Sequence, residues 1–157
     1  EEIVYEGYGP HGVAIVVETA TDNPVRTVAN IRMHFNRGNG ALGKTGSLDF
    51  MFQRKGVFRI TNDGKLNTDE LELELIDFGL ESLEVDEEEI LIYTVFEDFG
   101  KMSKALEDHG IAVQKAALER IPTTTVELTE EQQDEILQLV DKFEEDDDVQ
   151  NVYHNMG

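Results

Sequence analysis

Cysteine and tryptophan are absent from this 157-residue chain, proline occurs 3 times, and only 13 Lys and Arg stand against 34 Asp and Glu. Without cysteine there is no disulfide frame, no thiolate nucleophile and no zinc knuckle, a composition compatible with a reducing compartment such as the cytoplasm. Long apolar runs are missing as well. The longest, around Ile90 to Phe96, falls short of the roughly 18 residues that a membrane helix needs. Glu1 and Glu2 offer no initiator Met, basic n-region or apolar h-region, so a further segment is expected upstream and no secretory signal is read.

Apolar residues make up 39% of the chain and charged residues 30%. A chain of this length buries roughly two-thirds of its unfolded surface and can hold a core without metal or disulfides. Its formal net charge of −21 would repel nucleic acid and anionic lipid if spread evenly. It is not spread evenly. Residues 1–22 carry no base and 5 acids, residues 23–66 carry 8 bases and 2 acids, and residues 67–157 carry 5 bases and 27 acids. A basic island therefore sits in an acidic protein. An anionic partner could approach one face and be refused by the rest; solubility patterning accounts for the same asymmetry equally well.

Ile3 to Tyr5 and Val13 to Thr19 read as strands separated by the tight loop Gly7-Tyr8-Gly9-Pro10-His11-Gly12. Asn23 is a good N-cap and Pro24 suits the first helical position; Val25, Val28, Ile31 and Phe35 then recur at helical spacing until Gly38. Leu48, Phe50 and Phe52 alternate before Gln53-Arg54-Lys55-Gly56, and Val57 to Thr61 follow, a β-hairpin signature. A boundary is placed at Asn62-Asp63-Gly64-Lys65. Beyond it come a helix capped by Asn67 and stopped by Gly79, a hairpin over Leu83 to Val85 and Glu89 to Val95, a helix over Glu97 to His109 and a strand over Ile111 to Ile121. Thr129 caps a last helix whose stripe is Ile136, Leu139, Val140 and Phe143, and Val149 to Tyr153 is a final strand.

A lone α-β tail cannot bury its own faces, so it is expected to return to the first unit. The fold class is α+β: two-layer sandwiches with helices on one face of an antiparallel sheet, residues 1–64 with 121–157 forming one discontinuous domain and residues 65–120 an acidic domain inserted into it.

One motif invites an enzymatic reading. Gly38-Asn39-Gly40-Ala41-Leu42-Gly43-Lys44-Thr45 satisfies G-x-x-x-x-G-K-[ST] in full. A phosphate-binding loop needs a strand entering and a helix leaving, so that backbone N–H groups and the helix dipole converge on the phosphates. Here the order is reversed, and the loop reads as a flexible turn with Lys44 as one more base. No carboxylate pair, acid run or histidine spacing singles out a catalytic or metal site, so no catalytic residue and no cofactor are nominated. The better functional candidates are Arg26, Arg32 and Arg37 on one helix, with Lys44, Arg54, Lys55 and Arg59 beyond it. Such clustering suits nucleic-acid backbone, an acidic protein surface or the chain's own acidic lobe.

In order along the chain, Tyr5-Glu6-Gly7-Tyr8-Gly9-Pro10, Gly12-Val13-Ala14-Ile15, Thr21-Asp22-Asn23, Arg26-Thr27, Leu42-Gly43, Gly46-Ser47, Lys55-Gly56 and Asp147 to Asn155 resemble the YebC-like family. The resemblance covers essentially the whole chain. It implies a three-domain protein in which a basic helical N-terminal domain precedes two α+β domains of ferredoxin-like character, the third inserted into the second; this chain corresponds to the latter two. It implies a non-enzymatic regulator of gene expression: a DNA-binding transcriptional regulator or, alternatively, a ribosome-associated translational activator contacting rRNA. The family-motif loop would be Tyr5, Gly7, Tyr8, Gly9 and Pro10. A pure protein-interaction module, using the acidic lobe, is the remaining alternative, and no membrane partner is expected.

Overall fold

The computed structural model describes residues 1–157, which form two compact units: Glu1–Gln53 with Pro122–Gly157, and Arg54–Ile121. In the first unit, β1 (Glu2–Tyr8) and β2 (Ala14–Ala20) pair antiparallel in the register Tyr5 to Val17. The two-residue β3 (Ala41–Leu42) flanks β1, and β8 (Val149–His154) flanks β2, giving the order β3-β1-β2-β8. Period-two alternation assigns the two faces. On one, Tyr5, Ile15 and Val17 pack against Ile31 and Phe35 of α1 (Pro24–Arg37) and against Ile136, Leu139, Val140 and Phe143 of α4 (Glu130–Glu144). On the other, Ala14 and Val16 meet Leu48 and Phe52, so an irregular segment covers the sheet where the helices do not.

Both helices begin where local chemistry dictates. The Asn23 side chain accepts from the Arg26 N–H with Pro24 at the first position, and Thr129 with Gln132 forms a reciprocal capping box. Gly7 is required by close approach. A Cβ there would lie 2.5 Å from the Ala41 carbonyl oxygen and 2.9 Å from the Phe35 ring, so β1, β3 and α1 could not meet with any larger residue.

The second unit orders its strands β5-β6-β4-β7, from β4 (Phe52–Thr61), β5 (Leu80–Val85), β6 (Glu89–Val95) and β7 (Lys115–Pro122). β6 pairs antiparallel with both β4 and β5. Phe58, Ile60, Ile90 and Ile92 close on Leu71 and Leu75 of α2 (Thr68–Leu75) and on Met102, Ala105 and Leu106 of α3 (Phe99–Asp108). Each unit is thus a two-layer α+β sandwich with its own core.

Two sequence expectations are corrected. Leu48 to Phe52 does not form a strand: Asp49–Met51 is a 3₁₀ turn, and Leu48 and Phe52 point inward while Phe50 is 75% exposed. Nor do Lys55 and Gly56 turn the chain. They lie inside the ten-residue β4, opposite Val95 and Thr94 of β6. The first unit consequently ends at Gln53 instead of residue 64, because β4 is committed to the second sheet from Arg54 onward.

Candidate nucleic-acid interface

The basic candidates start from α1. Its buried stripe, Thr27, Ile31 and Phe35, fixes its orientation, leaving Val25, Arg26, Ala29, Arg32, Asn36 and Arg37 exposed. No Asp or Glu occurs between Pro24 and Arg37. In a chain of net charge −21, this helix carries only positive formal charge.

Arg26 is nonetheless taken. Its Nη2 lies 2.8 Å from Asp148 Oδ1 and its Nε donates to Asp148 Oδ2 at 3.3 Å, while Asp22 offers a second carboxylate at 3.3 Å. Thr27 Oγ1, 2.7 Å from Thr21 Oγ1, donates to Asp148 Oδ2 at 2.8 Å. Asp148 is 8% exposed, so this carboxylate is a structural pin between α1 and the approach to β8. The Thr27 hydroxyl and the Arg26 guanidinium hold its carboxyl below the ordinary value of 3.8. A carboxylate with a lowered folded pKa stabilises above its unfolded pKa and loses that contribution as pH falls through the folded value. The wild type should therefore lose stability below about pH 4. Asp148→Asn should be less stable at neutral pH and show a flatter acid limb in chemical denaturation; parallel acid limbs would contradict the pin.

The remaining bases divide. Arg32, Arg37 and Lys44 are exposed and form no ion pair. Arg54 and Lys55 belong to the second unit. There the Arg54 guanidinium stacks 4.4 Å above the Phe96 ring, and Lys55 Nζ contacts Glu81 Oε1 at 2.6 Å. Arg59 reaches Glu89 at 3.4 Å and Glu119 at 3.7 Å. Of the seven bases nominated from sequence, three remain uncommitted and all three lie in the first unit.

The nucleotide-loop pattern resolves into a different kind of anion site. The Glu6 carboxylate, 3% exposed, accepts from the Gly46 N–H and, at 3.2 Å, from the Leu48 N–H, while the Glu6 carbonyl accepts from Gly43 at 2.8 Å. The Gly46 and Leu48 N–H groups are thus engaged by the protein's own carboxylate. No helix leaves the loop: Ala41–Leu42 is a short strand and Asp49–Met51 a single turn. The family-motif loop adjoins this segment. Tyr8 pairs with Ala41 across β1 and β3, Tyr5 and Gly9 are buried, and Tyr8 is 43% exposed with its hydroxyl 3.6 Å from Met51 Sδ. Gly9 and Pro10 then lead into the turn containing His11, whose φ is 64°.

A cleft of about 460 Å³ opens beside these elements, between the C-terminal end of α1 and the exposed side of α4, with Pro10 at one wall. Sequence reasoning found Arg37 but missed Asn39, Gln138 and Lys142, which share the cleft with it. An Asn-Gly pair after a helix signals a left-handed cap, and Asn39 has φ 62°. Nothing in the sequence marks Gln138. No group of three or more His, Asp or Glu side chains is arranged to hold a metal ion, and no helix is long and apolar enough to cross a membrane.

Residues 1–156 match the family described as the second and third domain of TACO1/YebC. The chain belongs to that family. A "Probable transcriptional regulatory protein" of Cytophaga hutchinsonii is 62% identical over 157 residues, covering 100% of this chain and 66% of that protein. Proteins of the same description from Porphyromonas gingivalis and Flavobacterium johnsoniae are 52% and 54% identical over 156 residues, and the chain spans 64% and 65% of their lengths. The crystal structure of a conserved hypothetical protein, Aq1575, from Aquifex aeolicus has a TM-score of 0.86 at 36% identity, over 100% of this chain and 65% of that one. Two stretches that carry the YebC resemblance, Arg26-Thr27 and Asp147-Asp148, supply opposite halves of the Asp148 network. In this family member, those stretches have a structural use in the first unit.

Proposed function

We propose that this chain is part of a non-enzymatic, cytoplasmic regulator of gene expression that holds nucleic-acid backbone against the exposed face of α1. The observation that carries this reading is the acid-free helix, with Arg32 and Arg37 unpaired and Lys44 uncommitted on the loop that follows. Arginines without an internal carboxylate partner retain their full capacity for phosphate. The surrounding negative charge limits approach to that face, giving orientation more than affinity. DNA is the leading target, since the relatives are described as probable transcriptional regulatory proteins. The ribosome is the second, through the same backbone chemistry of rRNA. A third reading, a protein partner for the second unit, draws on residues 69–89: they carry 11 acids and no base, with Leu73, Ile76 and Val85 exposed among them.

Co-sedimentation with ribosomes and with duplex DNA across a salt series separates these readings. Three phosphate contacts on duplex predict an affinity falling on the order of 40-fold between 50 and 200 mM salt. Arg32→Glu, Arg37→Glu and Lys44→Glu combined should abolish that dependence. Duplex binding alone favours transcription, and ribosome retention lost with the triple variant favours translation. Retention that ignores both salt and the variant removes the α1 face from consideration.

A further inference from the structure

The cleft between α1 and α4 has a composition that the α1 face does not. Its apolar lining is the Pro10 ring at one wall and the barely exposed edge of Leu139. Asn39 and Gln138 line it with side-chain amides that form no hydrogen bond within the protein. Arg37 stands at its edge without an ion pair, whereas Lys142 is held 3.7 Å from Glu145. Two acids also line the cleft, and both have partners: Glu135 is engaged by His11 of the glycine loop and Glu145 by Lys142. A volume of about 460 Å³ falls within the usual range of small-ligand sites, roughly 300–1,000 Å³.

These groups match the parts of one nucleotide. An apolar wall takes the face of a base, amides present the paired donor and acceptor that a base edge requires, and a free guanidinium takes the adjoining phosphate. A base within a duplex exposes neither its face nor its Watson–Crick edge, so the occupant must be unstacked. We propose that this cleft binds one unpaired nucleotide of a single strand, its base against Pro10, its edge read by Asn39 and Gln138 and its phosphate on Arg37. The proposal rests on the reading of α1 as a nucleic-acid face and extends it from backbone binding to base selection. RNA and DNA single strands share this chemistry.

Fluorescence anisotropy with labelled octamers of adenosine, cytidine and uridine, each as RNA and as DNA, together with a duplex of the same length, tests the proposal on the 157-residue chain. At least one octamer should bind more tightly than the duplex, with a preference among bases of about fivefold or more. Asn39→Gly keeps the positive φ and Gln138→Ala alters an exposed position, so the double variant should stay folded by circular dichroism. It should erase the base preference while leaving the salt slope unchanged. RNA octamers outbinding their DNA counterparts would assign the strand as RNA; equal binding would admit both. A preference that survives the double variant overturns the cleft, as does a duplex that binds as well as every octamer. Arg32→Glu distinguishes the two readings: if it weakens all strands alike while the cleft variants are silent, only the cleft fails. If it is silent while the cleft variants lose the preference, only the α1 face fails. Binding to none of the strands would overturn both.

Discussion

Phe143→Ala is expected to destabilise the first unit by about 3–5 kcal/mol, visible as a lower midpoint in urea. Phe143 is fully buried, and its ring meets Phe35 edge-on at 4.8 Å and His34 at 5.6 Å. It therefore joins α4 to α1 through two aromatic contacts. Truncation leaves a void lined by rings, which cannot close by simple side-chain rotation. It also frees His34, whose Nε2 lies 3.4 Å from Asp146 next to the Asp148 network. A loss below about 1 kcal/mol would mean that the two helices repack without this residue.

Glu6→Ala should cost about 2–4 kcal/mol, because two charge-assisted bonds vanish and the Leu48 N–H stays buried without a partner. Gly46 is exposed and can turn to water; Leu48 cannot. Glu6→Gln, which keeps one carbonyl acceptor, should cost less. Hydrogen exchange gives an independent readout. The Gly46 and Leu48 amides should lose protection in the alanine variant, while those of β1 and β2 keep theirs. Unchanged exchange at Leu48 would show that the carboxylate does not clamp the segment.

That clamp also explains where sequence reasoning stopped. The helices were legible because their caps and stripes are local: Asn23 with Pro24, Thr129 with Gln132, and Ile136 to Phe143 at helical spacing all lie within a few residues of what they stabilise. Leu48, Phe50 and Phe52 mimic a strand by their spacing alone, since Leu48 and Phe52 turn inward while Phe50 is exposed. The difference is set by Glu6, some forty positions away. Lys55-Gly56 mimics a turn for a related reason. Gly56 is buried in mid-strand, where a Cβ would collide with Thr94 Oγ1 and come within 2.8 Å of the Phe99 ring. Its glycine serves packing.

The candidate site was legible in part. Clustering of Arg26, Arg32 and Arg37 on one helix followed from periodicity, and the structure keeps them there. That Arg26 is paired depends on Asp148, 122 positions along the chain, and no rule of local spacing reaches so far. Gln138 was invisible for the same reason, and the Asn39-Gly40 pair marked a turn but not its place in the cleft, since a cleft belongs to two segments at once.

Met51 and Thr123 carry a consequence for the chain's modularity. The Thr123 N–H donates to the Met51 carbonyl at 2.9 Å, and the Thr123 hydroxyl lies 3.2 Å from the same oxygen. The first unit therefore ties together the point where the chain leaves it and the point where it returns. Everything between Arg54 and Ile121 is topologically a cassette: a connector of a few residues from Gln53 to Pro122 could replace it without stretching the flanking backbone. The closure entropy of so long an excursion grows only slowly with length. Excision or exchange of the acidic unit is thus a change that the first unit's own hydrogen bonds are placed to tolerate.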